Sequence, residues 1–157
     1  ADGVGDPGRL RQPAVGQQAV ASASQQAEVE RKGATVMPFD QQRAMHMFQL
    51  TPTGGVQTVL SRDGDSAQIT AIRSHLRQEA DKFARGDYSD PATIHGQQMP
   101  GLSVLKTAGQ NLRVAYQELP LGAQVTFTTH YPATVKALHD WFAAQVSEHG
   151  SHAMMMK

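Results

Sequence analysis

The sequence contains no cysteine. That single absence removes disulfides, thiolate metal sites and a cysteine nucleophile together. It leaves the compartment open, since exported proteins also do without cysteine. Long apolar runs are missing too: none approaches the roughly 20 residues that span a bilayer. Nor is there an excess of one charge. Lys+Arg and Asp+Glu number 14 each, so no basic field argues for nucleic acid or an anionic membrane. Catalytic signatures are equally scarce. There is no Gly-x-Ser-x-Gly elbow, phosphate loop, dinucleotide fingerprint or His-Glu-x-x-His helix. There is no Cys-x-x-Cys-His haem attachment, and Asp63-Gly64-Asp65 is too short for a calcium loop. These absences favour a binding protein over an enzyme.

What is present is a stock of soft and borderline metal ligands. The chain has seven histidines and seven methionines in 157 residues. None of the fourteen falls in the first 34 positions. Imidazole binds copper, zinc, nickel and haem iron, while thioether selects Cu(I).

The chain is long enough for one domain with a real core. It opens Ala1-Asp2-Gly3 without methionine, which fits a mature protein cut after a signal peptide, hence a periplasmic or secreted setting. Residues 1–34 read as a flexible tail. Gly3, Gly5, Pro7, Gly8, Pro13 and Gly16 break any pattern, and the Gln/Ala/Ser stretch that follows buries little apolar surface. A short helix over 17–31 is compatible with its Ala and Gln. Such a tail could tether the domain to an envelope partner. The domain proper is expected over 35–150, with a His/Met-containing tail over 151–157.

Within the domain, Met45 to Leu50 alternates as a strand, with His46, Phe48 and Leu50 on one face and Met45, Met47 and Gln49 on the other. Thr51 to Gly55 turns, and Val56 to Ser61 returns as the second strand of a hairpin. Asp65 and Gln68 then form a capping pattern. Ile69, Ile72, Leu76, Ala80 and Phe83 make one helical stripe that Gly86 stops. After a connector the theme recurs. Leu112 to Tyr116 and Ala123 to Thr129 pair around Leu119-Pro120-Leu121-Gly122, and Pro132 starts a helix with Val135, Leu138, Phe142 and Val146 on its apolar face. Two ββα halves follow. The expected fold is α+β: an antiparallel sheet of about four strands with helices packed on one face.

Three groupings of ligands stand out. The first is His149 and His152 with Met154, Met155 and Met156, two imidazoles and three thioethers past a helix end. The second is Met45-His46-Met47, where strand geometry points His46 away from both methionines. The third is His95 with Met99, held in a loop bounded by Gly96, Pro100 and Gly101. His139 and His75 border apolar helix stripes. The ordinary role for such a histidine is a ring bonded to a backbone carbonyl, and the alternative is an axial ligand to non-covalent haem. His46 and His139 are therefore the candidate cofactor residues. His95, Met99, His149, His152, Met154, Met155 and Met156 are the candidate metal ligands.

Several segments carry a resemblance. Met37-Pro38-Phe39-Asp40, Thr53-Gly54-Gly55-Val56-Gln57, Phe83-Ala84-Arg85-Gly86-Asp87, Ile94-His95-Gly96 with Met99-Pro100-Gly101-Leu102, and the stretch from Trp141 to Gly150 resemble a family of small exported bacterial proteins of unassigned function. The match covers about residues 35–152. Members often carry an aspartate carbamoyltransferase label. This chain has no Ser-Thr-Arg-Thr phosphate motif and is too short for a two-domain transcarbamoylase. The resemblance therefore implies export and a compact domain, and no activity. The expected function is an exported metal-binding protein, with copper as the ion, for storage, delivery or sensing. Non-covalent haem binding is the second reading. A cofactor-free envelope interaction module is the third.

Overall fold

Alternation decides the first strand. In β1 (Ala44–Thr51), Ala44, His46 and Phe48 turn inward and are buried, while Met45 and Met47 sit half-buried on the opposite face. The computed structural model that shows this describes residues 21–96 and 98–156. A two-residue turn at Pro52-Thr53 leads into β2 (Gly54–Ser61). Gly54 has φ +152, and a Cβ there would lie 2.0 Å from the Phe127 carbonyl oxygen, so only glycine lets the next hairpin close on this one. That hairpin is β3 (Arg113–Leu119) and β4 (Gly122–Thr128), joined at Pro120-Leu121.

Each hairpin feeds a long helix. In α2 (Ser66–Ala84) the Asp65 carboxylate accepts from the Gln68 amide at 2.9 Å, as the capping pattern predicts. The Gln68 side chain does not reach back. Its oxygen accepts from the Asp40 amide (3.1 Å) and its nitrogen donates to the Asp40 carbonyl (2.7 Å), which ties the approach to β1 onto α2. The final long helix, α5 (Pro132–His149), begins on its proline, where a missing amide hydrogen does no harm. It buries Leu138, Trp141 and Phe142 completely. The Trp141 and Phe142 rings meet Phe48, Phe83, Tyr88 and Phe127 edge-on at 5.0–5.8 Å to form the aromatic core.

The helices cross over between the hairpins. α2 packs mainly on β3 and β4, and α5 on β2, β5 and β1. Arg73 of α2 donates to Gly122 O (3.1 Å) and Leu119 O (2.6 Å), clamping the turn of the second hairpin. His139 of α5 does the same for the first: its Nε2 lies 2.9 Å from Thr51 O and 2.8 Å from Gly54 O. Both partners are carbonyls, so that nitrogen carries the proton.

The sheet corrects the expected fold class. It has five strands in the order β3-β4-β2-β1-β5, and it is mixed rather than antiparallel with four. The extra strand, β5 (Ala153–Met156), lies parallel to β1 with His46 opposite Ala153 and Met47 opposite Met154. Residues 151–157 read as a tail because β5 is four residues long, mostly methionine, and follows a glycine stop. Its partner lies at the other end of the domain, where local pattern has no reach.

Two short helices fill the connector. α3 (Ser89–His95) runs where the sequence suggests a loop; Pro91 falls in its first turn, where proline is tolerated. α4 (Leu102–Lys106) starts from Gly101, whose φ is +77 and whose hydrogen faces Ala137 O at a distance that excludes a side chain. Part of the expected N-terminal tail is also helical. In α1 (Ala23–Val36) a Ser22/Gln25 capping box opens the helix, Val29 and Gly33 are buried, and the helix packs on α3 and α5. The remainder of the tail, residues 1–20, lies outside the described residues. No helix among the described residues is long and apolar enough to cross a membrane.

Candidate metal centre

β1 aims His46 inward, and the ends of two helices meet it there. His149 closes α5 and is buried; its ring stacks on that of His46, with centroids 5.1 Å apart and planes 9° from parallel. His95, the last residue of α3, meets His149 edge-on at 4.9 Å and 89°. Phe39 touches the rings of His46 (6.2 Å) and His75 (5.7 Å), drawing α2 into the group. His46, His75, His95, His149, Glu79 and Met37 all line one cavity of about 50 Å³. His152 follows within the 3-10 turn after α5, its Nε2 3.9 Å from Glu30 of α1. α1 covers this end of the molecule, held by Gln26 donating to Ser147 O (2.9 Å) and by Gln41 donating to Glu30 O (3.1 Å).

Burial sets the protonation. The His46 imidazolium is disfavoured first by desolvation and then by the neighbouring histidines, which brings its pKa down to about 4. His75 also falls to about 4, by desolvation, with Asp90 opposing. His149 lies well below the usual range for the same leading reason, with His46, His95 and His152 adding to it. Glu79 moves the other way, up to about 9, through burial first and then through its hydrogen bond to the Asp90 carboxylate. Asp90 is held low by that bond and by Lys82, whose Nζ is 2.9 Å away. At neutral pH His46, His75 and His149 are therefore neutral and Glu79 keeps its proton, with the Asp90 carboxylate paired to Lys82.

Several polar atoms around the cavity lack hydrogen bonds. Seven buried side-chain atoms among the described residues have no partner, and four of them belong to residues lining this cavity: both nitrogens of His46, Nδ1 of His95 and Nε2 of Gln145. His95 Nδ1 is 3.2 Å from Glu148 Oε2, yet the direction does not make a hydrogen bond. A buried polar group without a partner costs about 1–3 kcal/mol. With the rings as they stand, no three His, Asp or Glu side chains among the described residues bring their donor atoms together to hold an ion.

The structure thus sorts the candidate residues. It gathers His46, His95 and His149 and places His152 nearby. Met99 is buried in the core but does not line the cavity. β5 splits the C-terminal grouping: Met155 faces inward and packs on the core, while Met154 and Met156 face out, 47 % and 43 % exposed. His139 is at the far end of the sheet, holding its turn beside an open cleft of about 580 Å³ that His130, Lys136 and Asp140 share. Sequence reasoning missed Met37, Glu79, Asp90 and Gln145 as cavity residues. His75 gave a signal, since its position bordering the α2 stripe aims it at this cavity. No family model, curated protein or solved structure matches the chain.

Proposed function

We propose that the protein binds one copper ion between His46, His95 and His149, in an exported setting, for storage, delivery or sensing. The observation that carries this reading is His46: a fully desolvated imidazole with neither nitrogen bonded, stacked on a second histidine beside a third. A metal ion would convert that cost into a bond. The depressed basicity helps as well. Ligation needs neutral imidazole, and His46 and His149 already shed their protons well below neutral pH, so protons compete weakly for the ion. The donors are imidazoles, with the Met37 thioether also on the wall and no thiolate available. That set suits copper, above all Cu(I).

Ligation by all three rings requires rotation about their side-chain bonds, because their nitrogens do not yet converge. The volume favours an ion over a porphyrin: about 50 Å³ holds an ion or a water molecule and is far smaller than haem. The test is ring-nitrogen NMR on histidine-labelled protein titrated with Cu(I) under ascorbate. The ring signals of His46, His95 and His149 should shift and saturate at one equivalent, while His139 stays still. Unmoved signals for all three at stoichiometric copper would sink the proposal.

A further inference from the structure

The face of β1 opposite His46 carries a different chemistry. Met45 and Met47 point outward there. The parallel pairing of β5 sets Met154 directly beside Met47, and Met156 follows two positions on, on the same side. We infer that Met47, Met154 and Met156 form a second, surface site for a soft monovalent ion, Cu(I) or Ag(I), with Met45 flanking it. This inference does not depend on the buried histidines and stands if they bind nothing.

Three observations support the site. First, reach: neighbouring strands lie about 5 Å apart and alternate residues about 7 Å apart, and a methionine side chain has three rotatable bonds with which to close such gaps. Second, exposure: Met154 and Met156 are among the few large apolar side chains left open to solvent, at 47 % and 43 %, in a strand of four residues that supplies three thioethers. Third, the absence of competitors. The outward positions on the three adjoining strands are Met154 and Met156, then Met45, Met47 and Gln49, then Val56, Thr58 and Leu60. None of these is a carboxylate, imidazole or thiolate, so hard ions and zinc find no charged or nitrogen ligand among these positions, whereas thioethers select Cu(I). Arg62 places a cation beside Met45, its Nη2 3.9 Å from Met45 Sδ. Its charge opposes an ion beside Met45, which is why the three other sulfurs form the core of the site.

Ag(I) is the probe, because it matches Cu(I) in ligand preference and needs no reductant. The full chain, labelled with ¹³C at the methionine methyls, is titrated with silver nitrate in a chloride-free buffer. The methyl signals of Met47, Met154 and Met156 should move and saturate by two equivalents, one for each proposed site, with those of Met99 and Met155 unmoved. Met47→Leu with Met154→Leu keeps shape and apolar character, so the fold should persist by circular dichroism while affinity falls at least tenfold. His46→Ala with His149→Ala should leave these methyl shifts intact, which separates this site from the buried one. Unmoved methyls in the unmodified chain, or an unchanged affinity in the double leucine variant, would overturn the inference.

Discussion

His139 and His46 sit at opposite ends of one sheet, His139 brought by α5 to the turn after β1 and His46 carried on β1 itself, yet they are wired differently. His139 spends its Nε2 proton on two carbonyls of the first turn. Its counterpart is Arg73, which makes the same double clamp on the second turn from α2. A histidine whose role an arginine fills elsewhere in the same protein is acting as a donor, and nothing about that role needs a titrating or ligating ring. His46 has no such duty. Both its nitrogens are buried and idle, and its neighbours are further imidazoles. The contrast separates a histidine that fastens the fold from histidines that the fold has gathered at a cost.

The sharpest way to break this contrast is a matched pair of substitutions. His46→Leu should weaken copper binding at the histidine site by more than the roughly 10–100-fold expected for losing only a partner of a ligand. The same change should leave the metal-free protein as stable or raise its stability by about 1 kcal/mol, because it removes an unpartnered polar ring. His139→Leu should show the reverse: copper affinity unchanged, and stability down by about 1–3 kcal/mol as two turn carbonyls lose their donor. Denaturant melts of both variants with a copper competition assay decide it. Equal effects of both changes on copper would end the distinction.

Acid sharpens it further. His46 and His75 titrate near 4 in the folded chain against 6.5 in the unfolded one, so below 6.5 the unfolded chain takes up protons that the folded chain refuses. Each contributes on the order of 1 kcal/mol of lost stability per pH unit as pH falls from 6.5 towards 4, and His149 acts in the same direction. Glu79 works oppositely. It keeps its proton up to about 9 when folded but only to 4.5 when unfolded, so its contribution is whole below 4.5 and is lost as pH rises through 9. Stability of the metal-free protein should therefore peak near pH 6.5. A melting temperature that stays flat from pH 4.5 to 9 would show that the cavity is wetter than its geometry implies.

A smaller effect isolates the acid alone. Glu79→Gln keeps the shape and a donor towards Asp90 but cannot ionise. It should flatten the alkaline side of the profile and leave the acid side steep. Arg73→Ala, by contrast, should cost about 1–3 kcal/mol at every pH, as His139→Leu does, because its job is fixed donation.

Much of this was legible in the sequence, and the limits have identifiable causes. Both hairpins, both long helices and the faces of β1 follow from alternation, from turn residues and from the spacing of Ile72, Leu76, Phe83, Leu138 and Phe142. What local pattern cannot carry is pairing at long range. β5 is invisible until it lies against β1, and its arrival changes a supposed flexible ligand tail into two faces, one with Met155 in the core and one with Met154 and Met156 outside. The same blindness hid the cavity. Its histidines come from β1, α2, α3 and α5, and only the packed chain brings them together. Pro91 misled for a different reason: proline that usually marks a loop is equally at home in the first turn of α3.

The pairing of β5 with β1 also bears on the order of events during folding. His46 and Met47 emerge early in the chain; His149, Met154 and Met156 come near its close. Contacts so distant in sequence are slow to form. Neither proposed binding place has its full complement until the two ends of the domain have met, so a partly folded chain holds only fragments of each. Capture of an ion at the methionine site would then report that the last strand has docked, and its release rate would track how often that strand peels away.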